Sequence, residues 1–464
     1  MIKHGSIKQK ILVVDAIKAS ILDLMQSKYG NHLAKKMYYY APLPEQKKYM
    51  RSQINSQINK LIMHQYASDV IEFIYASCAE NNSFRREMAY AFYGQYFLLM
   101  KHLDSDLEAG TSQGMSLKMF LTKKPMLAEK VLDKVEGIVQ KLVEKGMSRH
   151  SLVQAIICDY VVSQPDSEKI KWLAETMKEK LPTLLASKQG LLVACSLFNV
   201  LDAKDRKLVV KSVQEPLKEM STNKIAHLFL VHVLNNLDDT VISKKKIVND
   251  LLLTIDENIA DKTFQAIFLG IYAPNSKRYF TSEDLAAFEA NQEQTTSKKN
   301  SDVRREELIK IVQGPLEKFF EENMSFYLRD ISRNALLSKV MAQRIEQGDT
   351  KSSMLIDELF RQVQKKDEGE ILIGHPDIHR MLKDFVKVEQ EKADETEFQF
   401  TKKLAAQMTG DNMESCLKSR ASWVFVQILE NEKTASLVKK DLTANRKKIN
   451  ELLKSKELKA NKGL

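Results

Sequence analysis

Apolar residues along this 464-residue chain recur at spacings of three and four, the period of helices with one buried face. Val70, Ile71, Ile74 and Tyr75 form one such stripe, and Leu152, Val153, Ile156 and Ile157 form another. A small residue, often a glycine after an aromatic, precedes the strongly apolar stretches. The landmarks are Tyr29-Gly30, Tyr66-Ala67, Tyr93-Gly94, Gln189-Gly190, Ile225-Ala226 and Thr263-Phe264, with a further one near Arg149. Counted from the second residue of each, they stand 37, 27, 55, 41, 36 and 38 residues apart, close to the length of a helical repeat. A lone amphipathic helix cannot bury its own face, so the units are expected to stack around one continuous core. The short and long steps mark irregular units, and residues 104–114 read as a surface insertion that accounts for the long one.

Residues 289–303 (EANQEQTTSKKNSDV) carry almost no apolar anchor and are expected to be a mobile linker. They divide the chain into a first array, 1–288, and a second, 304–464. In the second, stretches 306–324, 332–342, 375–388, 397–408 and 423–429 resume the helical pattern, with a break at 365–374 and a highly charged terminal helix. Only 15 glycines and 9 prolines punctuate the chain, which suits helices joined by short turns. The expected fold is therefore all-α: an armadillo-type α-solenoid in two sub-arrays, forming a curved or L-shaped superhelix. The longest apolar runs, 190–201 and 225–234, fall short of the roughly 18 residues of a membrane span. No membrane contact is expected, and the opening MIKHGSIKQK lacks a signal-peptide core.

Charge changes the picture. The net +10 is concentrated at the ends: residues 1–60 hold 11 Lys/Arg against 3 Asp/Glu, residues 439–464 hold 9 against 3, and the middle carries −4. Anion contacts are expected toward the two ends. The four cysteines, Cys78, Cys158, Cys195 and Cys416, show no metal-ligand spacing and sit in apolar helical stretches. They read as packing residues in a reducing compartment.

At several places the chain resembles the divergent nucleolar branch of the Pumilio (PUF) family, the Puf-A-like proteins with a C-terminal CPL segment. The resemblance runs through KHGSIKQK, SKYGNHLAKKM, HQYASDVIEFIY, YGQYFLLMK, RHSLVQAIICDYV, SKQGLLVACSLFNVLDAKDRKLVVKSV and HLFLVHVLNNLDDT. The stretch KKNSDVRREELIKIVQGPLEKFF is similar to the opening of that C-terminal segment. The DAKDRKLVVK and SDVRREEL blocks are its most specific parts. The resemblance implies helical repeats and no catalysis, a nucleolar or nuclear location with shuttling to the cytoplasm, and a role in large-subunit ribosome assembly and pre-rRNA processing. It also implies nucleic-acid binding with little sequence dependence and, for some members, mRNA repression. The opening KHGS looks like the tail of a repeat, so a longer natural protein is expected.

Ordinary Pumilio repeats read one base each, with two side chains on the base edge and a third stacked on it. The reading pairs here would be Asn31 with Lys35, Ser68 with Glu72, Gln95 with Leu99, His150 with Gln154, Leu191 with Cys195, His227 with Val231, and Gln265 with Leu269. The stackers would be His32, Asp69, Tyr96, Ser151, Leu192, Leu228 and Ala266. Only Ser68 with Glu72 looks like a code pair, and its acidic stacker cannot stack. Leucine, valine and cysteine offer too few donors or acceptors to tell bases apart.

Attraction to phosphates then remains, which needs clustered Lys and Arg with rings beside them. The richest cluster is Lys28, Tyr29, Asn31, His32, Lys35 and Lys36, followed by Tyr38, Tyr39 and Tyr40; Lys28, His32 and Lys35 share one helical face. Arg149 with His150, and Lys204, Arg206, Lys207 and Lys211, form weaker clusters. For the lysines the plain alternative is a solvated face, and for the tyrosines core or turn packing.

No phosphate loop or HExxH helix is present. His375 and His379 stand four apart, but Pro376 between them reads as a helix start rather than part of a metal site. Neither a cofactor nor a metal is expected. The expected function is an RNA-binding scaffold, monomeric, with pre-rRNA or mRNA as ligand, DNA bound non-specifically, and ribosomal proteins or assembly factors as partners. Its rivals are an mRNA-binding translational repressor and a protein-binding helical scaffold that makes no RNA contact.

Overall fold

A computed structural model describes residues 2–78, 82–103, 115–328, 334–348, 353–364, 366–367, 370–375, 378–391, 398–447 and 449–450. The expected insertion at 104–114 and the basic stretch 451–464 lie outside the described residues. Helices dominate, and two-residue antiparallel strands at Lys366–Asp367 and Glu370–Ile371 are the strands among the described residues.

The chain folds into two compact units, Met1–Ile247 with Asn275–Lys299, and Val248–Pro274 with Asn300–Leu464. In the first, the landmarks open an inner row of helices: Gly30–Tyr40, Ala67–Ser77, Ser151–Ser163, Lys188–Val200 and Ala226–Asn236, named here by their first residues. Each packs on the next in that order. The landmark at Gly94 stands apart, because its helix Gln95–Leu103 packs on Pro125–Glu144 while the Ala67 and Ser151 helices touch directly.

The helices start where side chains satisfy the free amides of the first turn. Ser187 Oγ accepts from Gly190 N, Asp202 from Asp205 N, and Thr281 forms a capping box with Asp284. Their apolar stripes meet in the middle, with Phe198, Phe229 and Leu230 fully buried. Each such side chain contributes about 1.5–3 kcal/mol by leaving water.

The second unit begins earlier than the sequence pattern suggests. The helix Lys262–Tyr272 packs on Ser301–Leu328 and Asn334–Glu346, and Tyr272 Oη donates to Gln313 Oε1 at 2.7 Å. The row continues from Asn334–Glu346 to Ile378–Glu391 and on to Ser422–Leu429. Its polar centre is Glu317, which accepts from Arg344 Nε at 2.7 Å and from Gln313 Nε2 at 2.6 Å.

Residues 289–299, expected to be a mobile linker, form a strap bonded to the first unit. Asn199 Nδ2 donates to Ala290 O at 2.9 Å, Asn291 Nδ2 to Ser196 Oγ at 2.6 Å, and Thr296 N to Asn199 O at 3.1 Å. Thr296 Oγ1 donates to Leu201 O, and Asp238 accepts from Ser297 Oγ and from Lys298 N. The carbonyls at the C-terminus of the Lys188 helix lack intrahelical partners, and the strap's polar residues supply them.

Candidate nucleic-acid interface

The expected site residues separate by burial. On the Gly30 helix, His32 and Lys36 are exposed and Lys35 is half-buried. They stand with Tyr39 at positions i, i+3, i+4 and i+7, one face of the helix. With Lys3, Tyr40 and Phe73 they line an open groove of about 520 Å³. Among the described residues no carboxylate pairs with Lys3, Lys35 or Lys36. Tyr29 is 78% exposed, with Lys28 Nζ lying 5.6 Å from its ring centre.

Three expected contacts are overturned. Arg206 is 2% exposed; its guanidinium donates to Phe198 O at 3.2 Å, Asn236 O at 2.8 Å, Asn199 O at 2.7 Å and Thr295 Oγ1 at 3.1 Å. It is bound to helix ends and strap and has nothing left for a phosphate. Asn31 is buried and donates to Ser27 O and Lys28 O. His150 is buried, and that burial holds its imidazole below the usual histidine range despite the nearby Glu72. It is neutral at pH 7.

Lys204, Lys207 and Lys211 do share an exposed face, on Ala203–Gln214 rather than on an inner helix. Lys207 Nζ lies 2.9 Å from Asp239, whose carboxyl it lowers. Arg149 is exposed, 3.9 Å from Asp69. The tyrosine run splits: Tyr38 is buried with its hydroxyl 3.5 Å from Cys78 Sγ, whereas Tyr39 is 57% exposed.

Several of the polar positions that would read bases, though not Lys35, are bonded to the protein itself. Glu72 accepts from Ser151 N at 2.8 Å and Ser151 Oγ at 2.6 Å, so the one code-like pair caps the next inner helix. Gln154 Nε2 donates to Ser148 O and Thr183 O, and Gln265 Nε2 to Ile259 O. His227 Nδ1 lies 2.8 Å from Asn223 O. Further along, the helix Ser282–Glu289 packs on the Lys188 helix, held by Lys188 Nζ 2.6 Å from Glu283. Leu191 and Leu192 share a cleft with Glu283, Asp284, Ala286 and Ala287. Phe288 of the same Ser282–Glu289 helix stacks on the ring of His232 at 6.0 Å.

Lys3 and Phe73 were not singled out by the sequence pattern. Lys3 belongs to the N-terminal basic excess, and Phe73 interrupts the polar side of the Ala67 helix, the only local signal of either. Among the described residues no group of His, Cys, Asp and Glu could hold a metal, and no helix is long and apolar enough to cross a membrane. His379 is buried, with Nδ1 on His375 O.

Comparison with known proteins agrees with the repeat architecture. Residues 260–398 match the CPL (NUC119) domain. The rat protein Pumilio homolog 3 is 24% identical over 394 residues, 82% of this chain and 58% of its own length, so the chain spans rather more than half of that relative. The crystal structure of human Puf-A superposes with a TM-score of 0.82 at 21% identity, covering 99% of this chain and 88% of that one. Human Puf-A in complex with DNA gives 0.81 at 20%, covering 96% and 86%. The chain thus shares the helical-repeat fold of human Puf-A and is similar in sequence to Pumilio homolog 3, with a match to the CPL domain that begins inside the helix row at residue 260.

Proposed function

We propose that this protein is a non-enzymatic scaffold that holds RNA by its sugar-phosphate backbone, chiefly on the Gly30 and Ala67 helices, and does so in large-subunit ribosome assembly in the nucleolus with precursor ribosomal RNA as ligand. The observation that carries the binding reading is the pairing of unneutralised Lys3, Lys35 and Lys36 around one groove with other base-reading side chains, Asn31, Glu72 and Gln154, already bonded to the protein. Cations free to meet phosphates give affinity; donors spent internally leave no base discrimination. That a human relative in structure has been solved with DNA supports a nucleic-acid ligand. The nucleolar setting is supported by the family likeness.

Binding of the full chain to several unrelated single-stranded RNAs of equal length, measured against salt, tests the first part. Affinities should agree within a few-fold. In the double variant Lys35→Ala/Lys36→Ala the slope of log K against log salt should flatten by about 1.4, two contacts at roughly 0.7 each. Strong discrimination between sequences would overturn it, and no affinity for bare RNA would overturn it in favour of a protein-binding scaffold. Crosslinking in living cells tests the second part: precursor ribosomal RNA should dominate, and enrichment of messenger RNA would point to translational repression instead.

A further inference from the structure

We infer that the face shared by the helices Ile378–Glu391 and Ser422–Leu429 of the second unit docks a protein segment in which acidic and apolar side chains alternate. The inference is separate from the RNA reading: it concerns other residues, another unit and another class of ligand.

The two helices pack on each other. On Ile378–Glu391 the apolar residues turn inward, and Arg380, Lys383, Asp384 and Lys387 are left on the outer side. At 3.6 residues per turn Lys383 and Asp384 fall on opposite sides of Arg380. Lys383 is on the side of the Ser422 helix, where Gln390 Nε2 donates to Gln427 O at 3.0 Å, and Asp384 is turned away from it. The Ser422 helix adds Arg420 from the turn before it, in which Trp423 N donates to Arg420 O at 3.2 Å. Arg380 and Arg420 are exposed, and among the described residues no carboxylate pairs with either of them or with Lys383. Neighbouring charges are taken: Lys387 Nζ lies 3.6 Å from Glu391 and Lys418 Nζ 2.9 Å from Glu414, while buried Glu389 accepts from Phe400 N and Thr401 N. Trp423 is half-buried beside these cations, with Lys383 Nζ 5.9 Å from its ring centre. Half-buried Val426 follows one turn later, and Leu429 beyond it is 40% exposed. Glu430 stands at the far end, two turns from Trp423.

The make-up of this face selects the occupant. A sugar-phosphate chain would meet the cations but set charged oxygens against Val426 and Leu429, and a base cannot lie on the Trp423 face that Lys383 already covers. An apolar peptide would desolvate the arginines and give them no partner. A segment alternating Asp or Glu with Leu or Phe satisfies both parts: its carboxylates meet guanidinium groups that can hold them through two parallel hydrogen bonds, and its apolar side chains meet Trp423, Val426 and Leu429. Trp and Arg are also the residues that most often carry the energy of protein interfaces. Packed helices have axes about 8–10 Å apart and an extended chain rises about 3.3 Å per residue, so about six residues cross both helices.

The chain contains two tryptophans, Trp172 in the first unit and Trp423, so Trp172→Phe leaves one reporter at the proposed site. The full chain with this substitution is titrated with three probes while Trp423 emission is followed: a peptide of about eight residues alternating Glu with Leu, the same peptide with Gln for every Glu, and single-stranded RNA. The Glu peptide should shift the emission and saturate, and the Gln peptide should bind about tenfold more weakly or worse. Adding Arg380→Gln/Arg420→Gln should cost the Glu peptide about tenfold, the order of two exposed ion pairs, with thermal midpoint and RNA affinity unchanged. Adding Lys35→Ala/Lys36→Ala instead should leave peptide binding as it was, so the inference can fail while the RNA reading holds, and the reverse. No shift with the Glu peptide, or equal affinity for the two peptides, overturns the inference. So does an RNA-induced shift of Trp423 emission that the arginine variant abolishes, which would make this a nucleic-acid face.

Discussion

At Gly190 a Cβ would stand 1.7 Å from Leu184 O in the preceding turn and 2.5 Å from Gln154 Oε1 on the Ser151 helix. At Gly30 the nearest atom, Leu24 O, is 2.7 Å away. The inner helices begin against the backbone that precedes them, which is why small residues mark their starts. Gly190→Ala should therefore cost about 2–3 kcal/mol in urea unfolding of the first unit. At Gly30 the smaller clash is partly offset by the better helix propensity of alanine, so Gly30→Ala should cost clearly less. A larger loss at Gly30 than at Gly190 would refute this ordering. Burial explains which basic residues were misread: Arg206 stands in a run with Lys204 and Lys207, and only the phase of the helix turns it inward. Arg206→Met should strip the Phe198, Asn199 and Asn236 carbonyls of this donor, with only Asn199 O keeping Thr296 N, and destabilise the first unit by about 3 kcal/mol, with RNA affinity of the folded protein unchanged. His232 is buried with its pKa held at about 3 by desolvation and by Arg206, against 6.5 when unfolded. Its contribution to stability is present above pH 6.5 and is lost as pH falls from 6.5 toward 3, because the unfolded chain takes up the proton first. The thermal midpoint of the wild type should thus fall more between pH 7 and pH 5 than that of His232→Gln; equal falls would show the titration lies elsewhere.

The helix row was legible from periodicity and small landmarks, since both record packing that recurs unit after unit. The strap was not. Residues 289–303 have the composition of a linker, and composition does not report that Thr296, Asn291 and Lys298 find partners at distant helix ends. The same holds for Lys262–Tyr272, whose landmark resembles those of the first unit although its packing belongs to the second. Asp238 receives both Ser297 Oγ and Lys298 N, so Asp238→Ala should loosen the strap. Limited trypsin digestion is expected to cut at Lys298 or Lys299 several times faster in that variant; an unchanged rate would mean that Asp238 does not hold the strap. In the second unit the analogous polar element is Glu317 with Arg344. Removing one partner of a part-buried ion pair commonly costs about 3–5 kcal/mol, and Arg344→Leu should show a loss of that order in the unfolding of this unit.

For the whole molecule, net charge and fold point to one division of labour. The N-terminal 60 residues carry a strong basic excess, whereas the middle of the chain is slightly acidic. The inner face of the Lys188 helix is covered by the protein's own Ser282–Glu289 helix, whose Glu283 is bound to Lys188. The binding groove was half legible: the lysines stood out by sequence clustering, but the ring of Phe73 joins them only through packing of one repeat on the next. Hydrogen–deuterium exchange of the full chain, with and without a saturating single-stranded RNA, tests this division most directly. Slowed exchange should be confined to residues 1–40 and 67–77, with 188–200 and 226–236 unchanged. Protection that instead runs along the Lys188 and Ala226 helices and spares the Gly30 helix would contradict it.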